Sequence, residues 1–282
     1  MSRTYVVTGA ASGIGKEAAE LLSSQGAKVL GVDLKNADIN VDLTTAAGRE
    51  NLVDEAARLG GGQIDGVLAI AGLAAPIPAT VGVNFFGMVA TLEGLRPLLV
   101  GSPAPRAVGV SSMASLMPVD DELVAAMGAR DEVAALARAG TLAETEEGGA
   151  LIYASTKKAF AQWIRRTAAS KAWAGASIPL NAIAPGIIVT PMTAAMLETE
   201  EAREQMRIAV PMPLNGFAEA IVPARLSFLA RERREHPPVW SGDLHRRGER
   251  RRDPGRLDLV TTTRAVRSAR QARLPVRPGG SR

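Results

Sequence analysis

The sequence has no cysteine, which excludes disulfide scaffolds, thiolate zinc sites and cysteine nucleophiles. Histidine is almost as scarce. His236 and His245 are the only two, so residues 1–230 hold no histidine base and no histidine metal ligand. No metal centre is expected. Aromatic residues make up 4%, and only two are tyrosines, Tyr5 and Tyr153. No apolar run reaches the ~20 residues of a membrane span. Met1-Ser2-Arg3-Thr4 leads directly into a strand-like run, so neither a membrane anchor nor a signal peptide is expected. These absences point to a cytoplasmic protein. Lysine is missing from the last 52 residues, which carry 15 arginines against 6 acidic residues. Residues 1–230 carry 18 basic and 23 acidic side chains. The net charge of +4 is therefore the sum of a body at −5 and a tail at +9.

What is present has the balance of a globular chain with a sizeable core, 46% hydrophobic and 22% charged over 282 residues. The body alternates. Strand-like runs occur at Tyr5-Val6-Val7 and at residues 28–33, 39–41, 66–70, 107–110 and 178–183. Helical patterns occupy 13–25, 46–59, 81–99 and 151–173. Such alternation indicates βαβ units and a parallel sheet covered on both faces. The fold class is α/β, a Rossmann-type doubly wound sheet, in one domain over residues 1–230. Residues 118–149 are rich in Ala and Glu, favour helix and contain no strand pattern. They read as a helical insertion.

Thr8-Gly9-Ala10-Ala11-Ser12-Gly13-Ile14-Gly15 lies between the first strand and the first helix. Glycines there let the backbone turn tightly and approach a pyrophosphate, and the helix start offers N–H groups to the anion. Gly9, Ser12, Gly13, Ile14 and Gly15 are the candidate phosphate-binding residues. Asp33 ends the second strand, where a carboxylate accepts hydrogen bonds from ribose hydroxyls and repels a 2′-phosphate. NAD(H) is therefore expected over NADP(H), with Lys16 and Lys35 as nearby cations. Asp42-Leu43, at the end of the third strand, reads either as lining of the adenine pocket or as a plain turn.

Tyr153-Ala154-Ser155-Thr156-Lys157 opens the long helix of this reading, with phenol and ammonium at i and i+4 on one face. A fixed cation there lowers the phenol pKa and suits the tyrosine to proton transfer with an alcohol or carbonyl oxygen. Ser111-Ser112-Met113-Ala114 follows a strand, at the end where open α/β sheets place ligands. Gly109-Val110-Ser111 begins like a hydrolase nucleophile elbow. Met113 stands where that motif needs glycine, and the body has no histidine for a triad.

Together TGxxxGxG, Asp33, the serine, YxxxK and Asn181-Ala182-Ile183-Ala184-Pro185-Gly186 resemble the short-chain dehydrogenase/reductase family over residues 1 to about 230. The stretches Thr45-Ala46-Ala47-Gly48-Arg49, Val83-Asn84-Phe85-Phe86-Gly87 and Ser111–Ser115 resemble its bacterial 3α-hydroxysteroid dehydrogenase/carbonyl reductase branch. Coniferyl-alcohol dehydrogenases look related. The resemblance implies that Tyr153 is the acid/base, that Lys157 lowers its pKa and holds the nicotinamide ribose, and that Ser112 orients the substrate oxygen. It implies that Asn84 lies in the helix behind the site and positions a relay water through backbone geometry. Pro185, Gly186, Ile188 and Thr190 would flank the nicotinamide, and Ala71-Gly72 would pass the adenosine side. The family's Asn-Asn-Ala-Gly is here Ala69-Ile70-Ala71-Gly72. The methionine-rich stretch 189–216 corresponds to the family's substrate loop and suits a hydrophobic alcohol or ketone, steroid-like or aromatic.

The family's last strand and Asp-Gly-Gly ending do not follow residue 230. Trp240-Ser241-Gly242-Asp243 gives way to an Arg-, Pro- and Gly-rich run. This tail, 231–282, reads as a frame change in a GC-rich gene or as a basic extension for nucleic acid or an acidic partner. It is expected to be disordered. A missing edge strand would leave a hydrogen-bonding edge open and favour a homo-oligomer. A reductase body reduced to nucleotide binding, with a basic interaction tail, is the alternative function.

Overall fold

The computed structural model describes residues 2–209 and 217–229. The chain divides into two units, Met1–Arg233 and Arg234–Arg282, and the second lies wholly outside the described residues. The readings made for the arginine-rich tail, both histidines included, therefore fall outside them, as does Met212.

Six strands form one parallel sheet: β1 (Thr4–Thr8), β2 (Lys28–Asp33), β3 (Ile39–Asn40), β4 (Gly66–Ala69), β5 (Arg106–Val110) and β6 (Leu180–Ile183). Their order is β3-β2-β1-β4-β5-β6. The chain works outward from β1 to β3 and returns to β4 on the other side. That reversal opens a crevice beyond the carboxyl ends of β1 and β4, where such sheets bind ligands. The doubly wound α/β expectation is met.

The central strands β1, β4 and β5 are buried on both faces, as parallel strands inside a sheet are. Alternate side chains of β1 serve two cores. Val6 joins Leu30, Val67, Ala107 and Leu180 on one face, whereas Tyr5 and Val7 join Leu68, Ala18 and Leu22 on the other. Each fully buried Val or Leu contributes ~1.5–3 kcal/mol relative to exposure. The second core is covered by α1 (Gly13–Ser24), and by the later helix α9 (Ile221–Leu229) through Ala224. The first is covered by α2 (Ala46–Gly60), by α4 (Met88–Leu99), which continues the short α3 (Pro78–Val81), and by α7 (Glu146–Thr167). Between α3 and α4, Gly82–Gly87 is a π-helical stretch.

The expected insertion is helical and contributes to the core. It holds α5 (Asp121–Ala129) and α6 (Glu132–Leu142), capped by Asp120 on the Leu123 amide and by Asp131 on the Ala134 amide. Leu123, Met127, Ala135 and Ala139 are fully buried. α5 packs on α7, and α6 packs on α3 and α7. The boundaries need correction. The Thr145 hydroxyl caps the Gly148 amide, so α7 starts at Glu146 rather than 151, and it ends at Thr167 rather than 173. Trp173 is buried beyond the helix, and Ile178 precedes β6 rather than starting it. The helix expected at 81–99 begins at Pro78 and contains the π-helical turn.

After β6 come β7 (Ile188–Val189), α8 (Glu200–Ala209) and β8 (Ala218–Glu219), with β7 and β8 paired parallel. Among the described residues the main sheet ends on β6, where Asn181 and Ala182 are exposed. No helix among them is long and apolar enough to cross a membrane.

Candidate active site

The glycine-rich turn after β1 is built by three backbones that meet without side chains between them. Gly9 has φ +72°, a conformation that costs glycine little. A Cβ on it would stand 3.0 Å from the Ala71 Cα, and a Cβ on Gly15 would overlap the Gly9 carbonyl oxygen. The Gly9 and Ala10 amides donate to the Val32 carbonyl at 2.9 and 3.2 Å, which fixes the turn to the end of β2. Ser12 is the N-cap of α1 and makes no side-chain cap bond among the described residues. The first N–H groups of α1, Gly13 and Ile14 among them, open towards the crevice end of β1. A helix start of this kind suits an anion.

Thr8 holds the opposite wall. Its hydroxyl accepts from the Ile70 and Ala71 amides at 2.9 and 3.0 Å. It thereby fixes the Ala69-Ile70-Ala71-Gly72 strand end, which lacks the family's asparagines. Thr8 is a positioning residue that sequence reasoning passed over, although it begins the glycine motif.

A cavity of about 420 Å³ runs from this turn along the strand ends and is lined by Gly9, Ser12, Asp33, Asp42, Leu43, Ala71 and Gly72, with Val32, Val41 and Val83 as apolar walls. Asp33 accepts from the Ala11 amide at 3.0 Å and from the Leu34 amide at 2.8 Å. Its carboxylate is thus held at the cavity edge. Asp42 makes a turn, accepting from the Thr44 amide at 2.9 Å and hydroxyl at 2.7 Å, and it also lines this cavity. A second cavity of about 560 Å³ lies on the other side of Ser12 and Gly13, with Lys16 and Thr190 in its wall. Thr190 therefore stands against the glycine-rich turn. Its Cγ2 lies 3.4 Å from where a Cβ on Gly13 would be. Ile188 is buried in β7, its carbonyl accepting from the Thr193 hydroxyl at 2.5 Å. Pro185 and Gly186 form the loop after β6, and the Pro185 carbonyl accepts from the Met113 amide at 3.0 Å.

That last bond brings the loop to the serines after β5. The Ser111 hydroxyl donates to the Lys157 carbonyl at 3.2 Å, so it anchors α7. The Ser112 hydroxyl accepts from the Ala114 amide at 3.1 Å and lies near enough to the Tyr153 phenol to favour its ionised form. Lys157 is 3% exposed, donates to the Val110 carbonyl at 2.9 Å, and has its ammonium 5.5 Å from the Tyr153 ring centre. Ser112, Tyr153 and Lys157 thus form one group at the carboxyl end of β5. Asn84 is fully buried in the π-helical stretch. It accepts from the Leu73 amide, donates to the Leu73 carbonyl, both at 2.8 Å, and donates to the Thr156 hydroxyl at 3.2 Å. Thr156 in turn donates to the Tyr153 carbonyl at 2.7 Å. The Asn84 side chain joins the loop after β4 to the helix that carries Tyr153.

Burial opposes the lowering of the phenol pKa that the tyrosine–lysine spacing predicts. It pushes the Tyr153 phenol above its usual value, while the Ser112 hydroxyl acts in the lowering direction. Burial also depresses the Lys157 ammonium, from an ordinary 10.5 to about 8. Between those values the unfolded chain binds the proton that the native lysine has released, so stability rises with pH across the window. The raised phenol acts in the opposite sense, with a loss of stability only above pH 10.0. From pH 8 to 10 the cofactor-free protein should gain roughly 2–3 kcal/mol, at ~1.4 kcal/mol per pKa unit. Urea unfolding at the two pH values tests this. The gain should be absent from Lys157→Met, and an equal gain in that variant would refute the assignment.

The family model for short chain dehydrogenase matches residues 3–124. The chain is 33% identical over 217 residues to the 3-alpha-hydroxysteroid dehydrogenase/carbonyl reductase of Comamonas testosteroni, covering 76% of this chain and 83% of that protein. It is 30% identical over 227 residues to a galactitol 2-dehydrogenase of Cereibacter sphaeroides, covering 79% and 86%. The crystal structure of 3-alpha-hydroxysteroid dehydrogenase from Pseudomonas sp. B-0831, complexed with NADH, superposes with a TM-score of 0.70 at 38% identity, over 80% of this chain and 89% of that one. The glycine-lined turn at the sheet's reversal point and the serine–tyrosine–lysine group after β5 are therefore parts of an oxidoreductase, and the chain belongs to the short-chain dehydrogenase family.

Proposed function

We propose that the chain interconverts a secondary alcohol and a ketone with NAD(H), on a hydrophobic substrate that is steroid-like or aromatic. The grouping of Ser112, Tyr153 and the buried Lys157 at the carboxyl end of β5, with the glycine turn after β1, carries the reading. The cradle fits a dinucleotide because Cβ atoms at Gly9 and Gly15 would crowd the backbone that leaves room for it. Ser12 and the first amides of α1 would hold the pyrophosphate, Asp33 the adenosine ribose, and Lys157 the nicotinamide ribose. A bound nicotinamide supplies or accepts the hydride at the carbinol carbon.

The protein's own groups handle the proton. With its pKa raised, the Tyr153 hydroxyl is protonated at neutral pH and donates to a carbonyl oxygen as that oxygen gains negative charge. Ser112 donates to the same oxygen and fixes its place. Lys157 stabilises the phenolate left behind. In the oxidative direction the same groups take the alcohol proton.

Exposed apolar side chains on the segments that follow Ser112 and β7 support the substrate class. Leu116 and Met117, four and five residues after Ser112, are 84% and 55% exposed, and Met192 and Met196 beyond β7 are 46% and 45% exposed. Large apolar side chains left exposed mark a surface for an apolar ligand or partner.

Cofactor choice follows from Asp33. The wild-type protein should prefer NAD(H) over NADP(H) by about tenfold or more in kcat/KM, since a 2′-phosphate would face an anchored carboxylate. Asp33→Ala should flatten that ratio. Equal use of both cofactors by the wild-type protein would transfer the role to Lys16 or Lys35.

A further inference from the structure

Arg49, in the first turn of α2, joins three parts of the molecule that are far apart in sequence. Its Nε donates to the Leu43 carbonyl at 2.8 Å and its Nη2 to the Thr44 carbonyl at 3.1 Å. The same guanidinium forms a two-pronged pair with Glu132, at 2.8 and 2.5 Å. Glu132 is the first residue of α6, in the helical insertion. The Arg49 carbon that bears the three nitrogens lies 5.9 Å from the Phe86 ring centre, in the π-helical stretch. The arginine side chain is 11% exposed and the glutamate 31%.

The two carbonyls that Arg49 holds belong to the loop whose residues Asp42, Leu43 and Thr44 line the cavity beside Asp33. On its other side this loop lies against the π-helical stretch. A Cβ on Gly87 would stand 2.9 Å from the Leu43 carbonyl oxygen, and one on Gly82 would stand 3.2 Å from the Thr44 Cβ. The loop is thus clamped between glycines on one side and a guanidinium on the other. A planar fork suits this task because it satisfies two carbonyls and a carboxylate from one fixed plane. A second arginine fastens the insertion nearby. Arg130, between α5 and α6, pairs with Glu93 at 2.6 Å and lies 5.9 Å from the rings of both Phe85 and Trp163.

We propose that the helical insertion positions the nucleotide: through the Glu132–Arg49 pair it sets the Leu43–Thr44 wall against which the adenine end of the dinucleotide rests. Arg49 and Glu132 are positioning residues in this scheme and touch no reacting atom. The proposal rests on the cofactor reading above, in which that cavity takes the adenosine half.

The test uses the full-length protein, with AMP, nicotinamide mononucleotide and NAD+ as separate probes. In Glu132→Gln the dissociation constants of AMP and NAD+ should rise in parallel, by about fivefold or more, as is usual for members of one hydrogen-bonded network. Binding of nicotinamide mononucleotide, and kcat at saturating NAD+, should stay within about twofold. Arg49→Lys keeps the charge but loses the fork, so it should show the same split. Unchanged AMP and NAD+ affinities would overturn the proposal, whether or not the melting midpoint falls. A loss shared equally by AMP and nicotinamide mononucleotide would also overturn it, by showing general loosening. If the wild-type protein bound neither AMP nor NAD+, the cofactor reading itself would fail, and that result is distinct from the others.

Discussion

Replacing Tyr153 by phenylalanine should lower turnover by ~100-fold or more while NADH binding stays within about twofold, because only the proton donor is lost and general acid–base catalysis is worth ~10²–10⁴. The ring keeps its volume, and the backbone bond from Thr156 to the Tyr153 carbonyl is untouched. Ser112 keeps its bond from the Ala114 amide. A single donor from Ser112 remains to hold a ketone oxygen, so the reaction should slow at the chemical step and lose its dependence on the phenol's ionisation. Steady-state rates and a fluorescence titration of NADH on the same preparation separate the two effects. Turnover close to that of the wild-type protein would remove Tyr153 from the chemistry. Loss of NADH binding with turnover would instead mark the residue as structural.

Lys157→Met should separate activity from stability in opposite directions. Turnover should again fall by ~100-fold or more, since the cation that stabilises the phenolate is gone. The cofactor-free fold should be at least as stable at neutral pH. A fully buried ammonium whose pKa has fallen to about 8 costs the native state free energy when it is charged. Methionine matches its length and fills the space with apolar atoms. The lost bond to the Val110 carbonyl offsets part of the gain, at about 1–2 kcal/mol. Thermal denaturation at pH 7 without cofactor should give a midpoint equal to or above that of the wild-type protein. A large drop would show that Lys157 supports the fold, and its place in the site would need another explanation.

Much of the site was legible in the sequence because it is local. Gly9 and Gly15 are fixed by backbone crowding within one turn, and Asp33 by its place at a strand end. Tyr153 and Lys157 are fixed by helical spacing. The sheet was legible in the alternation of buried strands with amphipathic helices. The start of α7 was not, because the helix-favouring stretch 118–149 runs into it without a break in pattern. Gly149 is in fact inside the helix, where a Cβ would stand 2.9 Å from the Pro76 side chain. The phenol's upward shift was also hidden. Helical spacing places Lys157 beside Tyr153, but its ammonium turns to the Val110 carbonyl, and burial is a tertiary property. Asn84 was placed on a helix by resemblance, yet its bonds to Leu73 and Thr156 depend on the π-helical turn. The link from Arg49 to Glu132, like the hold of Thr8 on the strand end at Ile70 and Ala71, spans sequence distances that no local pattern encodes.

The hydride assignment is tested most directly by following deuterium from NADH carrying two deuteriums at C4 of the nicotinamide, in the presence of steroid and aryl ketones. The wild-type protein should place one deuterium on the carbinol carbon for each NADH consumed, and Tyr153→Phe should slow that transfer by ~100-fold or more. If NADH binds but no deuterium reaches the carbinol carbon of any ketone, the protein is a nucleotide-binding relative and the proposed reaction is wrong. If deuterium reaches only sugar-derived ketones, the chemistry stands and the apolar substrate class falls.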